Sequence, residues 1–222
     1  MGWSVSSRKW MSLGWGLLLG LGGACEPPKS PHQETGAQAA SVGPASTEVA
    51  MASYDETLQV PVCGDTASGC DSGPLLAGRG DVGPEPHAPN TLGGTCLDGS
   101  SGIYHDDESI DRIQLYTTDG SALAPGKELT IEVTLWAYSS GNRVDLSFAA
   151  DAHNPSWTLF TTLVPTGPGP KTVTATYTLP SDGTGLQAVR AALRFTGAAS
   201  ACSGDGYNDR DDLAFRVSAS AP

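Results

Sequence analysis

The chain has 222 residues, a formal charge of −12, 28 glycines, 16 prolines and five cysteines. That charge repels nucleic acid and anionic lipid headgroups, so phosphate-held partners are excluded and cations are the favoured small ligands. The length suits one domain with a real core, and Lys and Arg are scattered without a basic stripe.

In chain order, the first element is an export signal over 1–24. Arg8 and Lys9 give it a positive start, Met11 to Leu21 an apolar run, and Gly22-Gly23-Ala24 the small residues a signal peptidase needs. The run is too short for an ordinary membrane-spanning helix. Leu21-Gly22-Gly23-Ala24-Cys25 resembles a bacterial lipobox, with Gly22 where that family prefers a large aliphatic residue. The resemblance implies a lipid on Cys25, and plain secretion after cleavage near Ala24 is the alternative. Either way the mature protein lies outside the cytoplasm, with the membrane touched only through the anchor. A lipidated Cys25 also removes the odd cysteine and leaves four for two disulfides.

Residues 25–53, rich in Pro, Ala, Ser, Gly, Gln and Glu, have no apolar period and are expected to be a disordered tether. Residues 54–95 are expected to form an irregular, disulfide-looped extension packed on a folded domain at 96–222. Four cysteines allow three pairings. The favoured one joins Cys63 to Cys70 in a short ring, and Cys96 to Cys202 across the whole β-rich region. Loop-closure entropy assigns about 2.5 kcal/mol to the short ring and about 5 kcal/mol to the long one.

From Leu129 the sequence alternates, with Leu129, Ile131, Val133, Leu135 and Ala137 on one face and Thr130, Glu132, Thr134, Trp136 and Tyr138 on the other. This is a half-buried strand. Runs at 144–148, 173–179, 189–195 and 213–217 repeat the pattern, and 110–116 and 157–164 do so more weakly. Turn formers such as Asp119-Gly120, Ser140-Gly141-Asn142 and Ser181-Asp182-Gly183 separate them. No amphipathic helix is evident. Seven or eight short strands with apolar faces must cover one another, so the expected fold is all-β: a two-sheet antiparallel β-sandwich, jelly-roll-like, with an irregular N-terminal extension.

The run from Cys96 to Ile113, together with Asn154-Pro155-Ser156-Trp157-Thr158, Leu186-Gln187-Ala188-Val189-Arg190 and Tyr207-Asn208-Asp209-Arg210-Asp211-Asp212-Leu213, resembles an accessory β-domain. Such domains occur at the C-terminal end of exported metallopeptidases and other secreted proteins of predatory soil bacteria. The likeness covers nearly everything from Tyr54 onward and implies an appendage rather than a catalyst.

Asp106, Asp107, Glu108 and Asp111 follow Cys96, while Asn208, Asp209, Asp211 and Asp212 follow Cys202. A Cys96–Cys202 bridge would gather both groups at one corner, where the carboxylates repel one another unless a cation intervenes. Calcium suits such oxygen donors, and Asp107, Glu108, Asp209 and Asp212 form the sharper subset. The alternative is an acidic solvated rim, with ion pairs such as Asp111–Arg112 and Arg210–Asp211. His32, His87, His105 and His153 are too scattered for zinc.

Cys70-Asp71-Ser72-Gly73 only partly matches the run around a serine-protease nucleophile, and the histidine context of such proteases is missing. Arg79-Gly80-Asp81 matches an adhesion tripeptide that recurs by chance. Trp136 and Tyr138, opposite the aliphatic stripe, could offer rings for stacking a sugar, with Glu132, Arg190 and Arg194 on the same outer face; the alternative is a loop lying over Trp136. The sequence therefore favours a non-catalytic binding module recognising carbohydrate or a cell-envelope protein, over a small secreted hydrolase with an unrecognised site.

Overall fold

The alternation at 129–137 becomes the central strand of one sheet. In the computed structural model, which describes residues 48–219 except 81, 84, 95 and 203, there are eleven strands. They are β1 (Val49–Met51), β2 (Ser53–Asp55), β3 (Val60–Cys63), β4 (Gly69–Asp71), β5 (Ser109–Thr117), β6 (Glu128–Ala137), β7 (Asn142–Ala149), β8 (Thr158–Leu163), β9 (Gly169–Thr178), β10 (Gly185–Phe195) and β11 (Asp209–Val217). One sheet runs β1-β4-β5-β6-β9 and the other β2-β3-β11-β10-β7-β8. Pairing is antiparallel except for β1 with β4 and β3 with β11. The two sheets pack face to face as a sandwich. The chain crosses between them after β1, β3, β6, β8 and β9, giving the wrapped path of a jelly-roll-like fold.

Leu129, Ile131, Val133, Leu135 and Ala137 are fully buried and meet Val144, Leu146, Val189, Ala191, Leu193, Leu213 and Phe215 from the opposite sheet. Each such side chain contributes roughly 1.5–3 kcal/mol on burial, so this interior drives the fold. The weaker periodicity at 110–116 has a local cause. A register shift between Ile110 and Arg112 puts an extra residue into β5, so that Ile110 and Ile113 both turn inward. A second shift between Leu146 and Ser147 separates β7 from a simple ladder with β8.

Residues 49–71 are more regular than their composition indicates. Their strands have three or four residues, too few to display a period, and they extend the edges of both sheets. Ala52, Cys63, Cys70 and Leu76 join the main core. The Cys63–Cys70 disulfide ties β3 in one sheet to β4 in the other. Cys96 is bonded to Cys202, which joins the loop before β5 to the loop before β11. Two such bonds indicate an oxidising, extracytoplasmic environment. No helix among the described residues is long and apolar enough to cross a membrane. The export signal and Cys25 lie outside the described residues.

Candidate metal centre

β11 begins with four consecutive charged residues, and all are buried: Asp209, Arg210, Asp211 and Asp212 are 0–2 % exposed. Strand alternation explains their directions. Asp209 and Asp211 lie on the same face as Leu213, Phe215 and Val217, toward the sandwich interior, whereas Arg210 and Asp212 lie on the outer face with Ala214.

At this end β3 does not reach β11, and a loop completes the edge instead. Asp98 Oδ1 accepts from the Arg210 N–H at 2.7 Å, and the Asn90 carbonyl accepts from the Asp212 N–H at 2.9 Å. The close approach requires glycine: a Cβ on Gly80, which has φ +43°, would lie 1.6 Å from the Asp98 carbonyl oxygen. A Cβ on Gly78 would likewise lie 2.2 Å from Glu85.

This packing brings carboxyl oxygens of Glu85, Asp98 and Asp209 within 4.8 Å of one another. Each group is aimed by a main-chain donor. Gly80 N–H donates to Glu85 Oε2 at 2.7 Å, Arg210 N–H to Asp98 Oδ1, and Ile110 N–H to Asp209 Oδ2. Asp98 Oδ2, Asp209 Oδ1, both oxygens of Asp211 and Asn90 Oδ1 are buried without an N–H donor; the carboxyls instead meet one another, Asp98 with Asp209 and Glu85 with Asp98 and Asp211. Asn90 belongs to the same group, since its side-chain amide donates to Glu85 Oε1.

Burial is the main reason that the Asp98 carboxyl is held well above the ordinary carboxylate range, with the Asp209 and Glu85 charges adding to it. Asp209 is pushed up to about 7, first by burial and then by Glu85. Asp211 rises through burial and through Glu85, Asp98 and Asp209. Glu85 is raised by burial against the opposing pull of its hydrogen bonds.

The residues fit a hard cation. Ligands at about 2.3–2.6 Å from one ion can be no more than about 5 Å apart, and the set is all oxygen, as calcium requires and zinc does not. Glu85, Asp98 and Asp209 would hold it, with Asp211 and Asn90 adjoining.

The other acids expected from sequence lie elsewhere. Asp106 is exposed. Asp107 Oδ2 accepts from the Ile103 N–H at 2.8 Å, and Glu108 Oε1 from Asn142 Nδ2 at 2.7 Å. Asp111 receives Ser109 Oγ and pairs with His105 Nε2 at 2.9 Å. Asn208 is buried with its amide close to Gly204. Asp212 forms a two-pronged ion pair with Arg190, both contacts 2.7 Å, and the Trp157 ring covers that guanidinium at 4.2 Å. Thus Asp209 and Asp211 join the cluster, while Glu85 and Asp98 were not anticipated. Asp98 follows Cys96 by two residues, so the proximity argument that selected Asp106–Asp111 applied to it as well. Glu85 carries no comparable signal beyond its place between two prolines.

The ion pairs also differ from expectation. Arg112 reaches Asp71 rather than Asp111, and Arg194 binds Asp145 at 2.6 Å. Arg190 and Arg194 lie on the sheet opposite Glu132, so the three share no face. Arg79 of the adhesion-like tripeptide is fully buried. It donates to the main-chain carbonyls of Ser101, Glu108, Gly206 and Tyr207. Ser72 is buried, its hydroxyl accepting from the Ile113 N–H at 3.0 Å.

Of the two expected ligand-binding rings, Trp136 is partly covered. His105 stacks on it at 4.8 Å, and Tyr104 stacks on His105 at 3.8 Å. Tyr138 is 53 % exposed. No protein-family model matches the chain, and no curated protein matches it either.

Proposed function

We propose that the protein is an exported, non-catalytic binding module whose loop end is organised by a structural calcium ion, held at the cell envelope through a lipid on Cys25. The observation that carries the metal reading is the set of buried oxygens on Asp98, Asp209 and Asp211 that have no N–H donor and are pressed against one another and Glu85. A buried polar atom left without a partner costs roughly 1–3 kcal/mol, and several together need a common partner. A cation supplies one. The Cys25 anchor rests on the lipobox-like sequence, and the accessory role on the resemblance to metallopeptidase appendages. Carbohydrate or an envelope protein is the partner class, met at the open aromatic surface around Tyr138 rather than at the covered Trp136 ring.

Thermal melting at pH 8 tests the metal. At a free calcium concentration near a hundred times its Kd, linkage amounts to about 2.7 kcal/mol, or roughly 5–10 °C over EGTA for a domain of this size. Asp209→Asn should abolish most of that shift. Equal melting in calcium and EGTA would remove the ion from the account.

A further inference from the structure

A cleft of about 290 Å³ is lined by Asp107, Glu108, Tyr138, Phe195, Asp205 and Tyr207. Its three rings are unusually open for large side chains: Tyr138 is 53 %, Phe195 45 % and Tyr207 50 % exposed. Single exposed aromatics are ordinary, but three around one concavity mark a surface kept for a ligand. Tyr138 and Phe195 meet edge to face, with centroids 6.1 Å apart and planes at 81°. Crossed rings form walls, not the flat platform on which a sugar stacks.

The charged side chains of the lining are all acidic. One oxygen of each acid is fixed: Asp107 by Ile103 N–H, Glu108 by Asn142, and Asp205 Oδ1 by the Tyr207 N–H at 2.9 Å. The floor is also braced, because buried Arg79 donates to the carbonyls of both Glu108 and Tyr207 and so ties two lining segments to one group. Ring faces carry partial negative charge and attract a cation within about 6 Å, and carboxylates beside them add direct attraction. The overall charge of −12 favours the same class of ligand. A bare metal ion would use the carboxylates and leave the rings idle. The volume sits at the small end of ligand pockets, which begin near about 300 Å³, and so suits a side chain rather than a polymer.

We infer that this cleft binds an organic cation: the ammonium or guanidinium end of a lysine- or arginine-like group with an apolar stem. The inference rests on the binding-module reading and narrows it, choosing a protein-borne cation over carbohydrate at Tyr138, and it does not depend on calcium.

NMR titration of the full secreted chain tests it, run in calcium and again in EGTA. The probes are Nα-acetyl-arginine methylamide, Nα-acetyl-lysine methylamide, choline and the neutral Nα-acetyl-norleucine methylamide. The arginine or lysine probe should shift the resonances of Tyr138, Phe195 and Tyr207 saturably, and the norleucine probe should not. Asp205→Asn and Tyr138→Ala, both at exposed side chains, should each weaken binding about threefold or more while leaving the melting curve in place. Equal response to cationic and neutral probes, no saturable shift, or a cleft perturbed by calcium alone would overturn the inference. Cation binding without a calcium-dependent melt would retain the cleft and dismiss the metal; a calcium-dependent melt without cation binding would do the reverse.

Discussion

The two halves of β11 are built on opposite principles. Leu213, Phe215 and Val217 enter an apolar interior, whereas Asp209 and Asp211, on the same face of the same strand, enter a carboxyl cluster. The apolar half is stabilised by removal of surface from water and is indifferent to its direction of approach. The charged half needs partners at defined positions: Asp209 takes the Ile110 N–H from β5, and loop residues Asn90 and Asp98 accept from the Asp212 and Arg210 N–H groups. A sandwich can therefore be assembled by pattern alone, while its carboxyl-rich end is assembled by individual contacts.

The largest effect that would sharpen this contrast is at Phe215, which is fully buried. Phe215→Ala should cost roughly 3–5 kcal/mol in denaturant unfolding, and the same amount in calcium as in EGTA. A cost that depends on calcium would mean that the two halves of the strand are not energetically separate.

A smaller effect concerns pH and belongs to the charged half alone. Glu85, Asp98, Asp209 and Asp211 all have folded-state values raised above the ordinary range, with Asp209 near 7. Between the unfolded value, near 4, and the folded value, the metal-free folded state holds more protons than the unfolded chain. Stability in EGTA should therefore fall as pH rises from about 4 through 7. Calcium should flatten that decline and give its greatest stabilisation near pH 8. A metal-free protein that gains stability over this interval would reverse the assigned signs.

The same contrast explains what the sequence made legible. The stripe from Leu129 to Ala137 announces its strand because alternation over nine residues has no other simple solution. β5 is blurred by the shift at Ile110/Arg112, and β1 to β4 are too short to show a period. The Cys96–Cys202 bridge directed attention to the acids flanking β5 and β11. It did not distinguish Asp209 and Asp211, which turn inward, from Asp212, which turns out to Arg190. Glu85 and Asp98 reach the cluster through a loop whose path is fixed by glycine contacts and by a buried arginine. Neither leaves a periodic trace.

Crystals grown with calcium, and measured for anomalous scattering, test the central claim most directly. A single peak is expected about 2.3–2.6 Å from carboxyl oxygens of Glu85, Asp98 and Asp209. A peak instead among Asp106, Asp107 and Asp111, or none with the three buried carboxyls sharing protons with one another, would contradict the account.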